Sequence, residues 1–147
     1  MSYKGLFTPS HPEKYKGDVT RIVFRSLWER NVMTKLDTWD AVIEWNSEEL
    51  AIPYRSPIDG RLHRYFPDFE VTLNTSKGIK KTIIEVKPKK QLQPPKKPKR
   101  KTKNYMFELS EYAKNMAKWQ AAKAYCDDKG WEWLILTEDQ IFGSPTK

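Results

Sequence analysis

The sequence predicts an α/β fold in which a small mixed β-sheet is flanked by helices. Three observations predict it. Two segments carry apolar residues at helical spacing, one in the first third of the chain and one from about Phe107 to Lys129. Between them lie stretches rich in β-branched and aromatic residues, separated by turn signals. A last such stretch follows the second helix, and a helical crossover is what permits parallel pairing in an otherwise antiparallel sheet.

The elements follow in order. Residues 1–17 read as irregular, because Gly5, Pro9, Pro12 and Gly17 interrupt any periodicity. Asp18 or Thr20 is suited to cap a helix running to about Leu36, with Phe24, Leu27, Trp28 and Val32 as its apolar stripe. Arg25, Ser26 and Glu29 fall on its polar side. A turn spans Asp37 to Asp40. Residues 42–54 alternate loosely and read as a first strand. Ser56-Pro57-Ile58-Asp59-Gly60 is a strong turn signal. A second strand runs from about Arg61 to Leu73, interrupted near Pro67, and a third from about Lys80 to Lys87. The polar run Asn74-Thr75-Ser76-Lys77-Gly78 joins those two as a hairpin.

Residues 88–104 form a basic, proline-rich loop. Pro88, Pro94, Pro95 and Pro98 exclude helix and sheet and stiffen the chain. On the helix that follows, Tyr112, Met116, Trp119, Ala122 and Cys126 share one stripe, which reads as core packing. Gly130 closes that helix. Trp131 to Leu136 is the fourth strand, Thr137-Glu138-Asp139 opens a short final helix, and the last few residues read as frayed. The expected organisation is one domain over residues 1–147.

Charge is unevenly placed. The chain of 147 residues has 27 Lys and Arg against 19 Asp and Glu, a formal charge of +8. Residues 89–103 hold eight of those cations and no acid, so the remainder balances. Charge concentrated at one place implies a polyanionic partner. A lone cysteine, Cys126, cannot form an internal disulfide and reads as a buried thiol. No secretory signal is visible, and no apolar run approaches the roughly 20 residues needed to cross a bilayer. A soluble, cytoplasmic protein is expected.

Chemistry concentrates in two short segments. Asp68 begins one strand, and Glu85-Val86-Lys87 lies in the next. Strand side chains repeat every two residues, so Glu85 and Lys87 share a face. A hairpin is the shortest way to set Asp68 beside Glu85. Two carboxylates offer hard oxygen ligands to Mg²⁺ or Mn²⁺, and an ammonium beside them can orient a water toward a phosphate. The plain alternative is a turn at Asp68 and a solvated strand face at Glu85 and Lys87. His11 and His63 begin no zinc pattern, and no glycine-rich phosphate loop occurs.

Pro67-Asp68, the 16 intervening residues and Glu85-Val86-Lys87 resemble the motif of the PD-(D/E)xK nuclease superfamily. More narrowly, the chain resembles the head-completion nucleases of T-even-type bacteriophages. Met1-Ser2-Tyr3-Lys4-Gly5, Arg25-Ser26-Leu27-Trp28-Glu29-Arg30, Pro53-Tyr54-Arg55-Ser56-Pro57, Arg64-Tyr65-Phe66-Pro67-Asp68-Phe69 and Ile84-Glu85-Val86-Lys87-Pro88-Lys89-Lys90 carry that resemblance. It implies a restriction-endonuclease-like sandwich and a DNase that cuts or trims packaged DNA so that a filled head can join a tail. It implies Asp68, Glu85 and the carbonyl of Val86 as ligands to Mg²⁺, with Mn²⁺ as the alternative. It implies Lys87 as the group acting on the attacking water, and Glu29 as holding a second metal or positioning that lysine. A surface ion pair of Glu29 with Arg25 is the ordinary alternative.

The basic loop would supply salt-sensitive contacts to DNA phosphates through Lys89, Lys90, Lys96, Lys97, Lys99, Arg100, Lys101 and Lys103. It has no aromatic residue, so base stacking is not its mode. Arg25 and Lys118 are further candidates for phosphate contact, Lys118 the weaker; a wet helix face is the plain reading of Lys118. The resemblance also implies capsid portal or neck proteins as partners, and the host cytoplasm or the virion as the place of action. Two rival functions stay open. One is a structural head–neck protein that binds DNA or the portal without activity. The other is a junction-resolving or transposon-end nuclease.

Overall fold

A computed structural model describes residues 4–142. Its strands are β1 (Gly5–Leu6), β2 (Val23–Phe24), β3 (Val42–Ser47), β4 (Ile52–Arg55), β5 (Leu62–Tyr65), β6 (Phe69–Thr75), β7 (Gly78–Val86) and β8 (Glu132–Leu136). Its helices are α1 (Leu27–Thr38), α2 (Lys103–Lys129) and α3 (Glu138–Phe142). The central sheet has the order β3-β6-β7-β8. The first three strands are antiparallel, and β8 joins β7 in parallel after the α2 crossover. This is the expected mixed sheet between helices.

The pleat divides the core in two. On one face, Val42, Trp45, Phe69, Val71, Ile84 and Val86 pack against Val32, Met33 and Leu36 of α1 and Ile141 of α3. On the other, Trp133 and Ile135 meet Trp119 and Ala122 of α2, together with Ile52, Tyr54 and Tyr65 of the β4–β5 hairpin. Glu85 lies on this second face, because it alternates with Ile84 and Val86.

Local chemistry sets most boundaries. Gly78 takes φ of +109° at the β6–β7 turn, which a β-carbon would resist. Gly130 caps α2 in the left-handed region at φ of +74°. Thr102 caps its N-terminus by accepting the Tyr105 N–H at 3.0 Å, so the helix begins four residues before the expected Phe107.

Three expectations need correction. The first helix begins at Leu27, not near Asp18. Asp18 does cap, but it caps a 3-10 turn at Val19–Arg21, after which β2 pairs with β1. Ser26 is the cap of α1 and accepts the Glu29 N–H at 3.1 Å. The expected first strand is two, β3 and β4, divided by the bend at residues 48–51 and carrying a bulge near Ile43. The second is also two, with Pro67 ending β5 in one sheet before β6 begins in another.

The opening segment is more ordered than its glycines and prolines suggest. It contributes β1 and a 3-10 turn at Pro12–Lys14. Tyr15 packs edge-on against Trp45 at 4.8 Å, and buried Asp37 accepts the Ser10 and His11 N–H groups at 2.7 and 2.9 Å. Met1–Tyr3 and the C-terminal residues expected to fray lie outside the described residues. No helix among those described is long and apolar enough to cross a membrane.

Candidate active site

The sheet brings the sequence-predicted acids together at one end of the central hairpin. The β6–β7 ladder closes with Phe69 opposite Ile84. Asp68 is the bend residue just before β6, at the end of that ladder, and Glu85 follows Ile84 on β7. The Oδ2 of Asp68 accepts the Val86 N–H at 2.7 Å. Lys87 Nζ lies 3.5 Å from Glu85 Oε2, so the predicted sharing of a face holds. Tyr65, at the end of β5, donates its hydroxyl to Glu85 Oε1 at 2.5 Å.

Burial dominates the electrostatics. Glu85 is 6% exposed. The Asp68 carboxyl is held well above the usual range, first by burial and then by the charges of Glu85 and Glu29. Burial also raises Glu85, against the Tyr65 hydroxyl and the Lys87 ammonium, which favour its charged form. The Tyr65 phenol is raised by burial and by Glu85, so it remains a protonated donor. A buried glutamate and a partly buried aspartate held close together make a site whose charge a cation would offset.

Among the described residues, no set of three or more His, Cys, Asp or Glu side chains gathers tightly enough to hold an ion alone. Hard divalent cations are commonly held by one or two carboxylates together with waters. The donor set therefore fits a hard dication, with Asp68 and Glu85 as its oxygen ligands.

Glu29 approaches from the first turn of α1. Its Oε1 accepts the Arg25 N–H at 2.9 Å, which is a variant of the capping box with Ser26. Burial raises its carboxyl, and Glu48 and Glu85 add repulsion. The ordinary ion pair of Glu29 with the Arg25 side chain is not formed. The guanidinium turns to Glu48 instead, with Nε and Nη2 each 3.1 Å from a carboxylate oxygen.

Lys118 departs from the wet helix face expected of it. Its Nζ lies 5.7 and 5.9 Å from the centres of the Tyr65 and Tyr54 rings, a cation–π setting. Burial lowers its ammonium, and repulsion from Lys87 and Lys114 adds to that. The site thus has a second cation on the Glu85 side.

The basic stretch is extended and largely exposed, with Lys96, Lys97, Lys99, Arg100, Lys101 and Lys103 all open to solvent. Its start is tied down by a 3-10 turn at Lys89–Leu92 and by an Lys89–Asp139 ion pair at 3.1 Å. Lys90 is exposed beside it. Sequence reasoning missed Tyr65 and Glu48. Tyr65 read only as one strand residue among several, and nothing separates Glu48 from its neighbour Glu49 in one dimension.

A family model for the TnsA-like endonuclease N-terminal domain matches residues 40–138. The head completion nuclease of Enterobacteria phage T4 is 38% identical over 145 residues, which cover 96% of this chain and 95% of that protein. The first match begins after Glu29, and the second takes in α1 as well.

Proposed function

The chain belongs to the TnsA-like endonucleases and, over nearly its whole length, to the phage head completion nucleases; from that premise we propose that it is a divalent-metal-dependent DNase acting on DNA as a phage head is completed. It is a nuclease. The observation that carries the metal-dependent reading is the Asp68 carboxylate bonded to the Val86 N–H at 2.7 Å, beside Glu85, with Lys87 Nζ 3.5 Å from Glu85 Oε2.

In this reading Asp68 and Glu85 hold Mg²⁺, or Mn²⁺ in its place, with the carbonyl of Val86 as a further ligand. The ion supplies charge neutralisation at the scissile phosphate and acidifies water there. Lys87 orients the attacking water and offsets charge gathering on the phosphoryl oxygens. Tyr65 holds Glu85 in place through its hydroxyl, as outer-shell donors do in metal sites. Glu29 either positions Lys87 or holds a second ion. The water oxygen–phosphorus bond forms as the bond to the 3′ oxygen breaks; the water gives up a proton, the departing 3′ oxygen takes one up from solvent, and the products are a 5′ phosphate and a 3′ hydroxyl. Lys118 and Arg25 flank the site as contacts to neighbouring phosphates.

The exposed cations between Lys90 and Lys103 carry the sequence-independent share of DNA affinity. Portal or neck proteins of the capsid are the proposed partners, and the host cytoplasm or the virion the place of action. A binding-only head–neck protein would have no use for an acid pair and a lysine gathered together.

The test is incubation of supercoiled and linear DNA with Mg²⁺ or EDTA, using wild type beside Lys87→Ala. Mg²⁺-dependent cleavage that falls by about 10²–10³-fold in the variant is expected, the cost of losing one such charge-stabilising group. Nicking of plasmid against trimming of ends distinguishes the mode of cutting. Cleavage undiminished in EDTA or in Lys87→Ala would sink the mechanism.

A further inference from the structure

Glu48 has no task in the chemistry above, yet its backbone is unusual. It follows β3 directly and takes φ of +56°, the one non-glycine among the described residues with positive φ. A β-carbon is disfavoured there, and glycine or asparagine is the ordinary occupant. Such outliers persist where the surroundings over-determine them, and they cluster at functional sites. Two contacts hold this one. The Glu48 N–H donates to the Asp68 carbonyl at 3.1 Å, tying the end of β3 to the aspartate of the site. The carboxylate grips Arg25 as a two-pronged fork, at 3.1 Å on each arm.

A guanidinium has more donors than one carboxylate can use, and they lie along separate edges. Glu48 takes the side edge, made by Nε and Nη2. The end edge, made by Nη1 and Nη2, has no acceptor among the described residues, and the Arg25 side chain is 53% exposed. Arg25 also sits just before the cap of α1, where Glu29 holds its N–H. The arginine is thus fixed at both backbone and head group, with one bidentate edge left open and its charge near enough to interact with Glu29 and Asp68.

We propose that Glu48 is a positioning residue: it orients Arg25 so that the open edge of the guanidinium takes a DNA phosphate adjoining the scissile bond. The inference rests on the nuclease reading given above. Arginine and phosphate match in bidentate geometry, so direction matters as much as charge. Without Glu48 the arginine keeps its charge but loses its aim. A glycine there would suit the backbone better; what the glutamate adds is its carboxylate.

The experiment compares wild type, Glu48→Gly, Glu48→Gln, Arg25→Ala and the Arg25→Ala/Glu48→Gly double variant. Cleavage of a short duplex with Mg²⁺, duplex affinity in EDTA and the thermal midpoint are measured for each. Glu48→Gly should lose about tenfold or more in kcat, as misplacement of a positioning group does. Its thermal midpoint should not fall, because glycine accepts +56°, and its affinity in EDTA should not weaken, because an anion beside the DNA is gone. Glu48→Gln should lose kcat with the fold intact. The double variant should cleave within about twofold of Arg25→Ala, since both changes remove one device. Wild-type kcat in Glu48→Gly, or losses that multiply in the double variant, would overturn the proposal while leaving the nuclease reading standing. Absence of Mg²⁺-dependent cleavage by the wild type overturns that reading, and this proposal with it.

Discussion

Asp68 lies one residue beyond the β6–β7 ladder, and its Oδ2 accepts the N–H of Val86, the residue next to Glu85, at 2.7 Å. The bond pins the Asp68 carboxyl at the ladder's end. Both acids are driven toward neutrality by burial, and each is bound to a donor that limits its movement. A site of this kind stores unfavourable charge that an ion relieves, so its stability and its chemistry are linked.

Asp68→Asn separates the two. Asparagine keeps an oxygen for the Val86 N–H and removes the charge. A carboxyl whose folded pKa is raised contributes its full stability below the unfolded pKa of about 3.9, and loses it as pH climbs toward the folded value. At neutral pH the ion-free wild type therefore carries a penalty that the variant lacks. Calorimetry in EDTA should show a thermal midpoint a few degrees higher for Asp68→Asn, at about 2–8 °C per kcal/mol for domains near this size. Adding Mg²⁺ should raise the wild type and leave the variant where it was, and cleavage by the variant should be abolished.

Tyr65→Phe removes one hydroxyl and little else. Glu85 keeps Lys87 but loses the donor on Oε1. Outer-shell partners of this kind are worth about 10–100-fold in metal affinity or activity. Cleavage titrated against Mg²⁺ should show a half-saturating concentration shifted upward by that order, with DNA affinity in EDTA unchanged. An unmoved Mg²⁺ curve would mean that the hydroxyl has no part in the site.

Neutralising Lys96, Lys97, Lys99, Arg100 and Lys101 to Gln tests the loop. Each phosphate that goes without its cation should flatten the logarithmic salt dependence of duplex binding by about 0.9. The fold should be untouched, because these side chains stand in solvent. With saturating DNA, kcat should stay near the wild-type value. Anisotropy at several salt concentrations measures the slope, and an unchanged slope would remove the loop from the interface.

Cys126 is wholly buried on the core stripe of α2, and burial pushes its thiol up to about 11. Thiol reagents act on the thiolate, so labelling at pH 8 should be slow in the native protein and rapid once denaturant is added. Cys126→Ser would place a hydroxyl in that setting and should cost about 1–3 kcal/mol. Denaturant unfolding followed by tryptophan fluorescence gives the number. Fast native labelling would place the thiol at the surface.

Much of this molecule was legible in one dimension. Period-two patterning over Phe69–Thr75 and Gly78–Val86, with the polar turn between, announced the hairpin whose end carries Asp68 near Glu85. The stripe from Tyr112 to Cys126 determined which face of α2 is buried, and the proline-rich cation run marked a loop. These are local signals, written in spacing and turn chemistry and needing no distant partner. Tertiary structure decided the rest. The pairing of β1 with β2 replaced the expected first turns of helix, because edge hydrogen bonding and the packing of Phe24 outweigh a helical stripe. Tyr65 met Glu85 over 20 residues of separation and Arg25 met Glu48 over 23, and only the crossing of separate sheets and helices sets such meetings. Side-chain identity specifies what a group can bind; which group it finds is set by where the backbone has been folded.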